Sequence, residues 1–437
     1  MNQTIFNSHL FSFLKKSASP YHAVFQMKQF LEDHGFSQLP DRTNIPPDPG
    51  SAFYHIRDNG SIIACIFGKE EQPEDGFRIL AAHTDSPCLQ VKPLPDIEQD
   101  TYLKLGVEIY GGPLLQTWFD RDLSLAGRTC CLMQDGSLAV FLIDFKRPML
   151  VIPSLAIHFN REANKKNEIN AQDDLPPLLA QAVAGQLPNL KRLLFEQIQQ
   201  ENPLERIKEV LTFDLFCYDT QAPAFTGHKE EFICGGKLDN LLSCFVGMQS
   251  ITAGQMNKNC LLLCTNHEEN GSVSVAGAGS DFVESFFKRV IPDPTTRLRA
   301  LEKSFLISMD NSHATHPNFI SKSDKGHKIF LNKAPVIKIN ANQRYATNSM
   351  SAAIYKKICS EVQMKPQEFV MRSDMACGST IGPMTAARLG IQTVDVGIPT
   401  LAMHSIREFT GTADPFLLYR TTAKFLEMDM EELAIRP

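Results

Sequence analysis

The chain has little that would hold it to a membrane or to a nucleic acid. No stretch approaches the roughly 18 consecutive apolar residues that a membrane-spanning helix needs. Lys and Arg number 43 against 49 Asp and Glu, a formal net charge of -6, so no basic footprint for nucleic acid is present. The cysteines offer no disulfide framework: there are 11, an odd number, scattered along the chain. Cys260 and Cys264, in or beside an apolar run, and the adjacent Cys130 and Cys131 read as core thiols, not zinc knuckles. No secretory signal is expected either, because Lys15 and Lys16 follow the first apolar residues and no small-residue cleavage site comes after them. The expected location is therefore cytoplasmic, with reduced thiols. With 43% hydrophobic and 21% charged residues the composition excludes disorder and collagen-like repeats. Familiar catalytic signatures are absent too. His267-Glu268-Glu269-Asn270-Gly271 lacks the second histidine of an HExxH zincin, Gly277-Ala278-Gly279 continues wrongly for a dinucleotide fingerprint, and there is no GxSxG elbow. Cys377-Gly378-Ser379-Thr380 reads as a glycine-containing turn lining a pocket, not as a nucleophile.

What is present is a chain of 437 residues, enough for two or three domains at about 150 residues each. Helical spacing runs from Ile5 to Leu31 with a break at Ser19-Pro20. Strand-like runs follow at Ser61 to Phe67 and Phe77 to Ala82, the second apolar enough to be covered on both faces. From about Pro93 short segments separated by Gly and Pro suggest a mainly β region, including Thr101 to Ile109, Ser137 to Asp144 and Met149 to Ile152. Inside it lie a polar stretch, Glu162 to Asp174, and a helix-like one, Leu175 to Ala184. Past Gly235 strands and helices alternate through Leu238 to Ile251, Asn259 to Thr265, Val273 to Val290, Lys303 to Met309 and Ile391 to Val396. The reading is one α/β domain, residues 1–92 and 234–437, interrupted by a β-rich insertion of residues 93–233.

Several apolar runs stop at residues that bind metals or move protons. Ile79 to Ala82 delivers His83 and Asp85, and Leu261 to Cys264 leads to Glu268 and Glu269. Phe305 to Ile307 leads to Asp310, and Val394 to Val396 leads to His404. Asp239 opens a helical stretch. Any one of these has a bland explanation: a loop histidine, a solvated Glu pair, or an N-cap aspartate. Together, at strand ends of an open α/β sheet, they fall into one crevice. So many carboxylates repel one another unless cations neutralise them, and imidazole with carboxylate oxygen suits zinc. Two ions sharing a carboxylate polarise a carbonyl and generate a nucleophilic hydroxide, and a carboxylate left over serves as general base.

The chain resembles the aspartyl aminopeptidase family, cytosolic co-catalytic zinc exopeptidases, and its bacterial branch in particular. The resemblance rests on His83-Thr84-Asp85-Ser86-Pro87, Thr117 to Leu123, Leu238-Asp239-Asn240, His267-Glu268-Glu269, His313 to Asn318, Asn342 to Thr347, Cys377 to Pro383 and Met403 to Glu408. It implies a zinc-exopeptidase-like catalytic α/β sandwich interrupted by an inserted β-rich dimerisation domain. By the same resemblance Asp239 bridges two zinc ions, His83 and Asp310 complete one site, and Glu269 and His404 complete the other; cobalt or manganese could replace zinc. Glu268 matches the general base and Asp85 the carboxylate that orients His83. Lys338 and Tyr345 match substrate-pocket residues, and His158 a histidine lent to a neighbouring subunit. The implied activity is removal of the N-terminal residue from peptides, with a preference for Asp or Glu first residues. The implied assembly is a homo-oligomer of dimers, a dodecamer. Departures from the pattern, Asn266, Asn270, Lys237, Ser373, Met375, Thr400 and Ala402, spare every inferred ligand and the base. Two rivals stay open: another co-catalytic zinc hydrolase, such as a carboxypeptidase or deacylase, and a non-catalytic assembly protein on the same fold.

Overall fold

The computed structural model describes residues 2–40, 48–166, 168–183 and 187–435. The chain divides into two compact units. The first comprises Met1–Ser86, Pro223–Met403 and Glu408–Pro437; the second comprises Pro87–Ala222 and His404–Arg407.

The first unit is built on a nine-stranded sheet. In spatial order its strands are Ser37–Gln38, Ala52–Arg57, Ser61–Ile66, Cys260–Thr265, Arg78–His83, Phe305–Met309, Gln392–Gly397, Val336–Ile339 and Gln367–Val370. Cys260–Thr265, Arg78–His83, Phe305–Met309 and Gln392–Gly397 run parallel. Their residues are buried on both faces, and the two-residue period of a strand decides which face each serves. Leu80, Leu262 and Ile307 enter one core with Leu10, Leu242, Phe245, Tyr355 and Phe425, while Ile79, Leu261 and Leu306 enter another with Phe286, Phe287 and Leu389. Helices thus cover both sides, as near-continuous apolar strands require. The break at Ser19-Pro20 separates two helices, Gln3–Lys16 and Pro20–Asp33: the Ser19 side chain caps the second and Pro20 fills its first turn. A second sheet of five short strands joins Ala224–Thr226, Phe232–Gly235, Glu408–Gly411, Pro399–Leu401 and Ser312–His313.

The second unit is a six-stranded sheet. Its order is Leu138–Asp144, Leu123–Met133, Ile207–Asp219, Cys88–Gln99, Tyr102–Tyr110 and Leu178–Gln181, all antiparallel. Leu190, Leu194 and Ile198 of the helix Leu190–Glu201 pack into its core with Leu125, Val210, Leu215 and Trp118.

Two local expectations change. The stretch Leu175 to Ala184 is not a helix: Leu178–Gln181 is an edge strand against Tyr102–Lys104, and Ala184 lies outside the described residues. Pro176 and Pro177 remove two N–H donors and push Leu175 away from helical angles. The helix comes later, at Leu190–Glu201, capped by the Asn189 side chain. In Val273 to Val290 only Phe282–Val290 is helical, since Gly277 and Gly279 interrupt the earlier part. Among the described residues no helix is long and apolar enough to cross a membrane.

Candidate metal centre

Parallel register brings the carboxyl ends of the central strands to one edge of the large sheet, where ligands bind in open α/β folds. His83 ends its strand, Asp310 follows Met309, and the turn carrying Glu268 and Glu269 follows Thr265. Asp239 lies in the first turn of the helix Leu238–Ile251 but with non-helical angles, φ -84° and ψ 105°.

These residues meet. His83 Nε2 is 3.5 Å from Asp239 Oδ1 and 3.5 Å from Asp310 Oδ1. The ligand atoms of His83, Asp239 and Asp310 all lie within 4.8 Å of one another, and so do those of His83, Glu268 and Glu269. Asp85, fully buried, organises both sets. Its carbonyl is 3.1 Å from His83 Nδ1, and donation from Nδ1 to it leaves Nε2 for a metal. Its two carboxylate oxygens accept the backbone N–H groups of Glu268 and Glu269, each at 3.1 Å.

The electrostatics of the pocket call for positive charge. Burial alone lowers the pKa of the His83 imidazole, but hydrogen bonds to Asp239, Asp310 and Asp85 outweigh it and carry it well above its usual range. Burial pushes Glu268 up to about 7; His83 opposes the rise, and the charges of Asp310, Asp85 and Asp239 add to it. A divalent cation would answer the same demand that a proton on His83 answers, and imidazole with carboxylate oxygen is a fitting donor set for zinc.

Lys338 also reaches the pocket. Its Nζ donates to Asp310 Oδ2 and to the Asn311 carbonyl, each at 3.1 Å, and it is 2% exposed. It lies 5.1 Å from the centroid of the buried Tyr345 ring. The other expected residues belong to the second unit. His404 heads its four-residue segment His404–Arg407, with Nδ1 3.0 Å from the Gly112 carbonyl, and His158 is exposed in a turn. Asn266, where the aspartyl aminopeptidase pattern has Asp, accepts the His267 N–H through Oδ1 at 2.9 Å, a bond an aspartate would also make.

The sequence motifs include Ser86, Asn240 and Glu408 but assign them no role, and these groups hold the candidate ligands. Ser86 Oγ donates to the Asp239 carbonyl at 2.6 Å, Glu408 Oε2 accepts the Asp239 N–H at 2.8 Å, and Asn240 Nδ2 donates to the Met309 carbonyl at 2.8 Å. Asp395, a charge inside an apolar strand, accepts from Thr380 Oγ1 and the Ala346 N–H, each at 2.6 Å. Such a buried charge within the run Thr393 to Val396 was its signal. Gly397 matters for its lack of a side chain. A Cβ there would lie 2.2 Å from the Asp310 carbonyl oxygen and 2.9 Å from the Ser312 N, both backbone atoms. Gly397→Ala is therefore expected to displace Asp310 and weaken divalent-metal affinity about tenfold or more, the scale of losses when a ligand's support is disturbed. Metal titration of the folded variant checks this; wild-type affinity would contradict it.

Residues 13–426 match the profile of the family described as aminopeptidase I zinc metalloprotease (M18). The probable M18 family aminopeptidase 2 of Azotobacter vinelandii is 47% identical over 423 residues, covering 97% of this chain and 98% of its own. Its namesake in Pseudomonas aeruginosa is 46% identical over 419 residues, covering 96% and 97%. Among solved structures, a chain from the cryo-EM structure of the Ape4 and Nbr1 complex superposes with a TM-score of 0.95 at 35% identity, over 100% of this chain and 88% of that one. Chaetomium thermophilum mApe1 gives 0.87 at 28% identity, over 99% of each. The S. cerevisiae mApe1 dodecamer shares the fold at 0.83 and 24% identity, over 99% and 98%.

Proposed function

The chain belongs to the M18 family and is a zinc metalloaminopeptidase, and on that premise we propose that it works with two zinc ions sharing Asp239. His83, Asp239 and Asp310 would hold one ion; Asp239, Glu269 and His404 would hold the other. Cobalt or manganese fits the same oxygen and nitrogen donors. When bound, the pair supplies Lewis acidity toward the scissile carbonyl and lowers the pKa of a water. The chain's own residues do the rest. Glu268, the carboxylate outside both ligand sets, takes the proton from the attacking water and returns it to the departing amine. Asp85 keeps the His83 ring and the Glu268-Glu269 turn in register. His158 acts in a neighbouring copy's site, so the insertion, residues 93–233, is the dimerisation domain. The dodecamer formed by the yeast relative is the assembly we propose here, built from dimers. A cytoplasmic setting agrees with eleven free cysteines.

A preference for acidic first residues belongs to the same proposal and rests on Lys338. Because its ammonium already serves Asp310, we expect a bias among substrates, not an exclusion. In a panel of Asp, Glu, Leu and Lys aminoacyl substrates, Lys338→Met should lower the Asp-to-Leu ratio of kcat/KM. An unchanged ratio removes Lys338 from recognition.

The observation that carries the reading is the buried convergence of His83, Asp239 and Asp310 beside Glu268, with the Glu268 carboxyl raised toward neutrality. Zinc titration of the chelator-treated protein tests it. Two ions per chain are expected; saturation at one would contradict the shared role of Asp239.

A further inference from the structure

The helix Leu238–Ile251 begins without a cap of its own. Lys237, at the position before it, has a left-handed backbone, φ 61°, and its side chain makes no capping bond. Asp239 and Asn240, at the head of this helix, have non-helical angles, so the helix ladder does not fix the N–H of Asp239, the ligand proposed to serve both ions. That N–H is answered from far along the chain by Glu408 Oε2 at 2.8 Å. Glu408 is 2% exposed and opens the strand Glu408–Gly411. Its backbone is fixed by pairing with Gly235, a few residues before the helix. On the other side Ser86 Oγ grips the Asp239 carbonyl at 2.6 Å, from the segment that carries His83 and Asp85.

We propose that Glu408 is a positioning residue for Asp239, a remote cap that fixes the shared ligand before metal arrives. The inference rests on the dinuclear reading above. A neutral Gln would accept the same bond, yet a carboxylate stands there, beside a pocket already crowded with Asp85, Asp239, Glu268, Glu269 and Asp310. An ionised carboxylate accepts an N–H more strongly than an amide oxygen does.

The test compares the wild-type full chain with Glu408→Gln and Glu408→Ala, each stripped of metal and titrated with zinc against a competing chelator. Glu408→Ala should bind zinc about 10- to 100-fold more weakly, the range found when a ligand's supporting partner is removed. Glu408→Gln should recover most of that loss. Cobalt-loaded Glu408→Ala should show a shifted visible absorption spectrum, restored in Glu408→Gln. Ser86→Ala, which loosens Asp239 from its other side, should weaken zinc binding in the same direction and serves if Glu408→Ala does not fold. Wild-type zinc affinity in Glu408→Ala, or in Ser86→Ala should the former not fold, overturns the proposal. Equal damage in Gln and Ala with an unshifted cobalt spectrum overturns it as well. Failure of the wild type itself to bind two ions would instead sink the dinuclear reading.

Discussion

Glu268→Gln is expected to lower kcat by about 10²- to 10⁴-fold, the usual contribution of a positioned general base, with zinc content unchanged. The amide keeps the size of the side chain but cannot take up a proton. Its backbone stays held, because the Glu268 N–H bond to Asp85 does not involve the side chain. The pH profile gives the second half of the prediction. The base works only when unprotonated, so kcat/KM should fall tenfold per unit once the pH drops below the Glu268 pKa. Burial raises that pKa from the ordinary 4.5 to about 7, and bound cations nearby bring it down. The acid limb should therefore centre between those two values, and the residual rate of Glu268→Gln should lack it. Steady-state kinetics across pH decide the matter; a rate within tenfold of wild type, or the same acid limb in the variant, contradicts the assignment.

Asp239→Ala should do more damage still, reducing activity to background and weakening both ions at once. Removing a carboxylate that serves one ion leaves the other with its own ligands; removing a shared one takes a ligand from each. The loss in zinc affinity should exceed the roughly 100-fold upper range for supporting residues. Cobalt cannot restore activity, because the missing ligand is missing for any metal. Metal analysis after dialysis and the activity of the reconstituted variant check this. Retention of one ion at wild-type affinity would show that Asp239 serves a single ion.

The strand ends were legible because apolar runs stop abruptly at His83, Thr265 and Met309, and a parallel sheet must gather such ends at one edge. The helix start at Asp239 was legible for a similar reason, an acid ahead of a long apolar stretch. The insertion's detail was less so. Leu175 to Ala184 has the apolar content of a helix, and only Pro176-Pro177 argues for the strand that forms at Leu178–Gln181. Long-range pairings were hidden. Nothing near Lys338 in sequence announces Asp310, although a lysine within the apolar strand Val336–Ile339 must find a buried partner. Glu408 lies 169 residues from the N–H it caps, so no local pattern could connect them. The residues proposed to do chemistry announced themselves by type, and the residues that hold them did so only by contact.

The most direct test of the central claim sets free-amine peptides against the same peptides acetylated at the N-terminus, using the zinc-loaded enzyme before and after chelation. Release of the first residue only from free-amine peptides, abolished by chelator and restored by zinc, is the predicted result. Equal hydrolysis of acetylated peptides, or activity that survives complete removal of metal, would contradict a zinc aminopeptidase built on His83, Asp239, Glu269, Asp310 and His404.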